Sequence, residues 1–152
     1  MREILFKAKQ KDWRDLPEES WWVEGYYAMM GKEDLVRHYI VQNCALTGLF
    51  EEPEDNMYFN DVEIDPETLC QYTGLKDKNG EKIFIGDIIR CSKRCPHEVI
   101  WLNEYAGTYF GGMPAVYLSG LREGYAWTGS EEKMGNIFDN PELLKGDQGC
   151  GK

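Results

Sequence analysis

The sequence predicts a mainly β protein with at most short helical turns, and three observations support that prediction. Short apolar runs recur between turn signals, several of them alternate apolar and polar residues, and no long run has the spacing of an amphipathic helix. Hydrophobic residues make up 42% of the 152 residues. A chain of this size and composition can build a core without disulfides or metals.

The first half contains three predicted strands. Ile4, Phe6 and Ala8 share one parity, which predicts a strand with one buried face. Residues 21–30 form a second strand in which Gly25 indicates a bulge or a close approach of another backbone. Residues 35–41 form a third strand after a turn.

The second half has clearer turn signals. Asn79-Gly80 lies between two β-like runs and predicts a tight reversal. The apolar run 82–91 is interrupted by Gly86-Asp87, which indicates a kink, and Asn140-Pro141 is typical of the start of a short helical turn. We expect a single domain over 1–144, built from two β sub-modules at about 1–70 and 71–144, and a disordered tail over 145–152.

The charge balance points away from ordinary nucleic-acid binding. With 17 basic and 27 acidic residues the net charge is −10, which repels phosphate backbones and suits a soluble protein that binds another protein. Met1–Gln10 lacks the apolar run of a signal peptide, and no stretch of about 18 apolar residues is present. The five cysteines are odd in number and irregularly spaced, so free thiols and a cytoplasmic location without membrane contact are expected.

Several segments resemble one family. They are the opening Met1–Lys9, the runs Trp-Val-Glu-Gly-Tyr-Tyr at 22–27 and Gln-Tyr-Thr-Gly-Leu-Lys-Asp-Lys-Asn-Gly at 71–80, and the segments 82–84, 86–88 and 135–143. Together they resemble YopX-like proteins, which occur in bacteriophages and prophages. The resemblance implies a bifurcated β-sheet folded into barrel-like parts, and it implies no known activity, cofactor or catalytic residue. The loop at 10–20 and the segment 91–97 depart from the family pattern.

The segment 91–97 contains the most chemically suggestive cluster. Cys91, Cys95 and His97 offer two thiolates and an imidazole, which are zinc ligands. No second pair of ligands stands at zinc-finger spacing, and the fourth ligand would have to be Cys44, Cys70, His38 or a carboxylate. The favoured interpretation is a loop between strands with no metal and no cofactor. Catalysis by Cys95 with His97 is not expected, because a strand is expected to turn neighbouring side chains to different faces.

A basic group suggests the alternative function of nucleic-acid binding. Its members are Lys76, Lys78, Lys82 and Arg90, and the aromatic residues Tyr72 and Phe84 lie close by in the sequence. Small β-barrels bind single strands with this combination of charges and rings. The net charge opposes that use, and lysines at a hairpin tip are ordinary solubilising residues.

Aromatic residues exceed what a small core requires. The interaction candidates are Trp21, Trp22, Tyr26 and Tyr27, and a second group comprises Tyr105, Tyr109 and Phe110. Trp and Tyr are enriched at protein interfaces, so an unidentified protein partner or a homo-oligomer is expected. The favoured function is therefore a non-catalytic interaction module. An enzyme using Asp87, His97 or the acidic face at 61–67 is the weakest hypothesis.

Overall fold

A computed structural model describes residues 3–32, 35–42, 60–102, 115–120 and 127–145. The predicted mainly β fold is confirmed, because these residues form antiparallel strands and short 3₁₀ turns. In the described ranges, no helix has the length and apolar character needed to cross a membrane. The strands are β1 (Phe6–Lys9), β2 (Trp22–Met30), β3 (Arg37–Gln42), β4 (Asn60–Glu63), β5 (Cys70–Lys76), β6 (Lys82–Phe84), β7 (Asp87–Arg90), β8 (Pro96–Leu102), β9 (Ala115–Leu118) and β10 (Glu132–Asn136). The 3₁₀ turns are Trp13–Asp15, Glu18–Ser20, Pro66–Thr68 and Pro141–Leu144.

The chain divides into two compact units at Gln71 and Tyr72. The N-terminal unit is Ile4–Gln71, and the C-terminal unit is Tyr72–Lys152 together with Met1–Glu3. Strand β5 begins in the first unit and continues into the second. The tail predicted to be disordered lies outside the described residues from 146 onwards.

The N-terminal unit contains a sheet in the order β4-β3-β2-β1-β5, with every neighbouring pair antiparallel. Its core consists of Ala8, Val23, Ile40 and Ile64. The predicted buried face of β1 is present at Phe6 and Ala8, which pack in this core. The prediction was wrong for Ile4, which is 62% exposed, and for the opposite face, where Lys7 and Lys9 are also buried. The lysine side of the strand is covered by tryptophan rings, and a period-two pattern cannot reveal such a cover.

The predicted close approach at Gly25 is confirmed. A Cβ atom at this position would collide with the carbonyl oxygen of Val41 and the side chain of Ile40 on the adjacent strand β3. Glycine therefore allows β2 and β3 to pair with Tyr26 opposite Val41 and Tyr27 opposite Ile40.

The C-terminal unit combines the β5–β6 hairpin with a sheet in the order β10-β7-β8-β9. Its core is built from Ile83, Ile89, Val99 and Leu118, and both Cys91 and Cys95 belong to the same cluster. The strand orders of the described residues are open, so neither sheet closes into a barrel. The helical turn predicted at Asn140-Pro141 is present as the 3₁₀ turn Pro141–Leu144.

The predicted reversal at Asn79-Gly80 is confirmed, and a buried carboxylate organises it. Gly80 has a φ of 85°, and its N–H donates to the carbonyl oxygen of Asp77 at 3.0 Å. The Oδ1 atom of Asp77 accepts the backbone N–H groups of Asn79 at 2.8 Å and Glu81 at 2.9 Å, while Oδ2 accepts that of Lys133 at 3.2 Å. One side chain thus joins the β5–β6 turn to strand β10.

The interruption predicted at Gly86-Asp87 separates β6 from β7. Gly86 has a φ of 85°. The fully buried Asp87 carboxylate accepts the backbone N–H of Phe84 at 2.8 Å and lies 3.2 Å from the Lys133 ammonium. Lys133 therefore contacts two buried carboxylates, one through its backbone and the other through its side chain.

We predict that Asp77→Asn lowers the free energy of unfolding by about 1–3 kcal/mol, the cost of leaving buried hydrogen-bonding groups badly matched. An asparagine that keeps its oxygen on the turn amides directs its NH₂ group at the N–H of Lys133. Urea denaturation measures the loss. Asp61→Asn, on the exposed edge of β4, is the control and should change stability by less than about 0.5 kcal/mol.

The difference in unfolding free energy between wild type and Asp77→Asn should depend on pH in a definite direction. Burial alone would raise the pKa of Asp77, but hydrogen bonds from the backbone of Glu81, Lys133 and Asn79 lower it below its ordinary value. The stabilisation is complete above the unfolded-state pKa of about 3.9 and is lost as the pH falls through the lower native pKa. The difference in unfolding free energy between wild type and Asp77→Asn should therefore become smaller in acid. A difference that grows in acid would contradict the conclusion that the ionised Asp77 carboxylate stabilises the fold.

We predict that Lys133→Met lowers the free energy of unfolding by about 3 kcal/mol, because it removes the cation facing the buried Asp87 charge. Lys78→Met removes a comparable ion pair on the surface, where Lys78 lies 2.9 Å from Glu132, and should cause no measurable loss. Equal losses of unfolding free energy in the two variants would show that burial does not determine how much the pair between Lys133 and Asp87 stabilises the fold.

Candidate functional site

The two tryptophans predicted as interaction candidates, Trp21 and Trp22, contact buried lysines within the N-terminal unit. The Lys9 ammonium lies 3.6 Å from the ring centroid of Trp13, 4.4 Å from that of Trp21 and 5.6 Å from that of Trp22. Lys9 is only 1% exposed, and the Lys7 ammonium lies 4.9 Å from the Trp22 ring. These cation–π contacts offset the cost of removing a lysine from water.

The two tyrosine candidates differ from each other. Tyr27 donates or accepts a 2.6 Å hydrogen bond with Nδ1 of His38, and its ring packs on Phe6. Tyr26 is exposed and presents its ring to solvent. Of the four predicted interaction residues, Tyr26 has the most accessible side chain. Tyr105, Tyr109 and Phe110 lie outside the described residues.

The four basic candidates occupy two hairpin elements of the C-terminal unit. Lys76 and Lys82 are cross-strand partners of β5 and β6. Lys78 and Arg90 both face Glu132, at 2.9 and 3.7 Å, and the hydrogen bond from Lys78 lowers the pKa of Glu132 below its ordinary value. Glu132 therefore offsets part of the positive charge of this surface.

The aromatic rings beside this basic group are not available for stacking on bases. Tyr72 and Phe84 are buried cross-strand partners with ring centroids 5.5 Å apart. Single-strand binders need exposed ring faces next to their cations. This arrangement weakens the nucleic-acid alternative.

Cys91, Cys95 and His97 converge at the closed end of the β7–β8 hairpin. Their potential ligand atoms all lie within 4.8 Å of one another, and all three side chains are buried. The expectation that Cys95 and His97 face apart was wrong, because residues two positions apart along an extended chain share a face. Two backbone hydrogen bonds hold the connection: Cys91 N–H to Cys95 O at 2.9 Å, and Arg94 N–H to Cys91 O at 2.8 Å.

A small cavity lies elsewhere in the C-terminal unit. Its volume is about 40 Å³, far below the roughly 300 Å³ at which pockets begin to enclose a metabolite. It is apolar in character and is lined by Leu75, Val116, Tyr117, Leu118 and Trp127. This cavity therefore offers no room for a substrate of ordinary size.

An exposed apolar surface lies at the end of the β2–β3 hairpin and was not predicted. We call Met29, Met30, Leu35 and Val36 the apolar hairpin end; their exposed fractions run from 45% to 76%. In the sequence, two apolar pairs flank the segment 31–34, and in each pair both neighbouring positions are apolar. A strand with one buried face does not require that pattern.

The family model described as YopX protein matches residues 17–145. The chain belongs to the YopX family. The resemblance drawn from the sequence segments is therefore confirmed. This YopX chain is also similar to the crystal structure of protein EF1440 from Enterococcus faecalis, with 21% identity, coverage of 95% of this chain and 99% of that chain, and a TM-score of 0.45. At that level the similarity carries no information about function. A comparison with curated proteins finds no match.

The tryptophans of this YopX chain give a testable expectation. We predict that Trp13→Leu lowers the free energy of unfolding by about 2 kcal/mol, because the buried Lys9 ammonium loses its nearest ring. Thermal or urea unfolding followed by circular dichroism measures the change. Tyr26→Leu, at an exposed aromatic residue of the same unit, is the control and should be close to neutral. A near-neutral Trp13→Leu would mean that the ring contributes little to holding Lys9.

Proposed function

We propose that this YopX chain is a non-catalytic protein-interaction module and that the apolar hairpin end is its contact surface. The observation that carries the proposal is the exposure of Met29 and Leu35, at 63% and 76%, in a chain with a net charge of −10. Contiguous exposed apolar side chains on a charged protein are typical of interaction sites.

The position of these residues on the hairpin supports the proposal. Nearer the middle of the sheet, Val23 and Ile40 on the same two strands are buried. Beyond that region, Met29 and Met30 are consecutive and both exposed, so the two faces of β2 are open to solvent at its end. The four side chains can then enter a complementary groove together.

The residue types suit a binding surface. Methionine is unbranched and polarisable, so Met29 and Met30 can adapt to the shape of a partner. The register places Met30 opposite Arg37 and Met29 opposite His38, so the strand pairing holds the backbone of the hairpin end in place. A held backbone with adaptable side chains lowers the entropic cost of association.

The charge of the chain specifies the kind of partner. Two copies at −10 each repel, whereas a basic protein attracts this chain over a distance of about a Debye length. We therefore propose a protein that presents an apolar groove on a basic surface, rather than a second copy. The family resemblance supports a phage or prophage protein acting in the cytoplasm of a bacterial host.

Nucleic-acid binding through Lys76, Lys78, Lys82 and Arg90 is the less favoured function. Glu132 pairs with two of these residues, and the neighbouring rings are buried. Like the interaction module, this alternative predicts capture of cellular material, but only the alternative predicts that nuclease abolishes the capture.

The test compares tagged wild type, the double variant Met29→Glu/Leu35→Glu and the matched control Ile4→Glu in host lysate treated with nuclease. Ile4 is also apolar and 62% exposed, but it lies outside the hairpin end. We expect wild type and Ile4→Glu to retain the same partner and the double variant to lose at least about nine-tenths of it, because each introduced carboxylate would need to be buried. Bound proteins are quantified by mass spectrometry, and thermal unfolding checks that all three forms are folded.

Three outcomes would contradict the proposal. Equal retention by the folded double variant places the contact elsewhere. Retention that disappears with nuclease favours nucleic acid. A dimer of the purified chain that the double variant disrupts, measured by light scattering, assigns the hairpin end to a second copy.

A further inference from the structure

A buried imidazole nitrogen that has no partner among the described residues points to a second site, independent of the proposed interaction surface. Nδ1 of His97 lies 2.6 Å from the carbonyl oxygen of Ser119. A carbonyl can only accept, so Nδ1 carries the hydrogen, and Nε2 of the neutral ring has an open lone pair. Nε2 is buried and has no hydrogen-bond partner within the described part of the chain.

The contact between His97 and the Ser119 carbonyl is of the kind that metal-binding histidines make. A hydrogen bond from the other ring nitrogen to a backbone carbonyl fixes the tautomer and directs the ring. Ser119 itself is held on β8, since its N–H donates to Glu98 O and its Oγ accepts the N–H of Glu98, both at 2.9 Å. The carbonyl that orients His97 is therefore held in place independently of the turn between Cys91 and Cys95.

Two sulfur atoms lie close to the imidazole of His97. Cys91 Sγ, Cys95 Sγ and the His97 ligand nitrogen are all within 4.8 Å of one another. In a tetrahedral zinc site with Zn–S bonds of about 2.3 Å, ligand atoms are separated by about 3.7 Å. To bind zinc, the three ligand atoms therefore need to move closer to one another by about 1 Å at most.

The identity of the ligands selects the metal. Two thiolates and one imidazole favour Zn²⁺ over the hard cations Mg²⁺ and Ca²⁺, which take oxygen ligands. The surrounding side chains Ile83, Ile89, Val99 and Leu118 form an apolar core cluster. A metal in such surroundings acts by stabilising the fold.

We propose that the reduced protein binds one Zn²⁺ through Cys91 Sγ, Cys95 Sγ and His97 Nε2. The remaining tetrahedral position is taken by water or a further side chain. The bound ion ties the β7–β8 turn to the histidine held by Ser119, so it stabilises the C-terminal unit.

The expectation of free thiols is wrong for Cys95, which is disulfide-bonded, whereas Cys91 is a thiol. Reduction therefore comes before metal binding. With a phosphine reductant, phosphorus takes the oxygen of one water and is oxidised to phosphine oxide. The two electrons given up by phosphorus and the two protons of that water convert the disulfide into two thiols. Zn²⁺ then displaces one proton from each of the thiols of Cys91 and Cys95, and both protons pass to solvent.

The experiment is a Zn²⁺ titration of the phosphine-reduced full-length chain against a chromophoric chelator, with Co²⁺ as a spectroscopic substitute. We expect one Zn²⁺ per chain and, with Co²⁺, the visible and thiolate charge-transfer bands of a tetrahedral sulfur-ligated site. Cys91→Ser and His97→Gln should each weaken Zn²⁺ binding by about 100-fold or more, since even the loss of a residue that hydrogen-bonds to a metal ligand costs about 10- to 100-fold in affinity. Cys70→Ser is the matched control: Cys70 is a buried cysteine of the N-terminal unit and should leave affinity unchanged.

A second measurement uses only the wild type, in case a variant fails to fold. Zn²⁺ should slow alkylation of Cys91 in the reduced protein at least tenfold and raise its melting temperature, while the unreduced protein shows neither effect. The proposal is overturned if reduced wild type binds no Zn²⁺, if Cys91→Ser or His97→Gln binds as tightly as wild type, or if Zn²⁺ leaves the alkylation rate unchanged.

Discussion

The carboxylate of Asp77 is the constraint on which the C-terminal unit depends. It accepts N–H groups from the β5–β6 turn and from Lys133 on β10, which are separated by more than fifty residues of chain. Next to it, the N–H of Lys78 donates to Glu131 O at 2.9 Å, and the Lys133 ammonium reaches Asp87. The turn, the last strand and the start of β7 are thus joined by two buried acids and one lysine.

The ends of the β2–β3 and β7–β8 hairpins have opposite chemistry. The β2–β3 end exposes methionine and aliphatic side chains, whereas the β7–β8 end buries two sulfur atoms and an imidazole. Each arrangement carries a free-energy cost for the isolated chain. At the β2–β3 end, apolar side chains are in contact with water. At the β7–β8 end, Nε2 of His97 is buried without a hydrogen-bond partner among the described residues. A protein partner would relieve the first cost, and a metal ion would relieve the second.

Lysine and tryptophan have linked roles in the N-terminal unit. Lys7 and Lys9 stand on β1 with their ammonium groups against tryptophan rings, so the lysines are buried beneath rings that are themselves half-buried. Trp21 and Trp22 therefore serve the fold, and among the aromatic candidates that lie in the described ranges Tyr26 has the most exposed ring. This division separates the residues that stabilise the sheet from those that a partner can reach.

The sequence alone determined the β class, the reversal at Asn79-Gly80, the close approach at Gly25 and the membership of the YopX family, because each depends on local backbone chemistry or on a run of neighbouring residues. It also brought forward Cys91, Cys95 and His97 as a candidate ligand group, although a loop without metal was the favoured interpretation. Only the tertiary structure decided that Nδ1 of His97 is taken by Ser119, twenty-two residues away, and that Lys9 is covered by Trp13 and Trp21. Those contacts depend on strand register and side-chain direction, which bring distant residues together and leave no periodic trace along the chain.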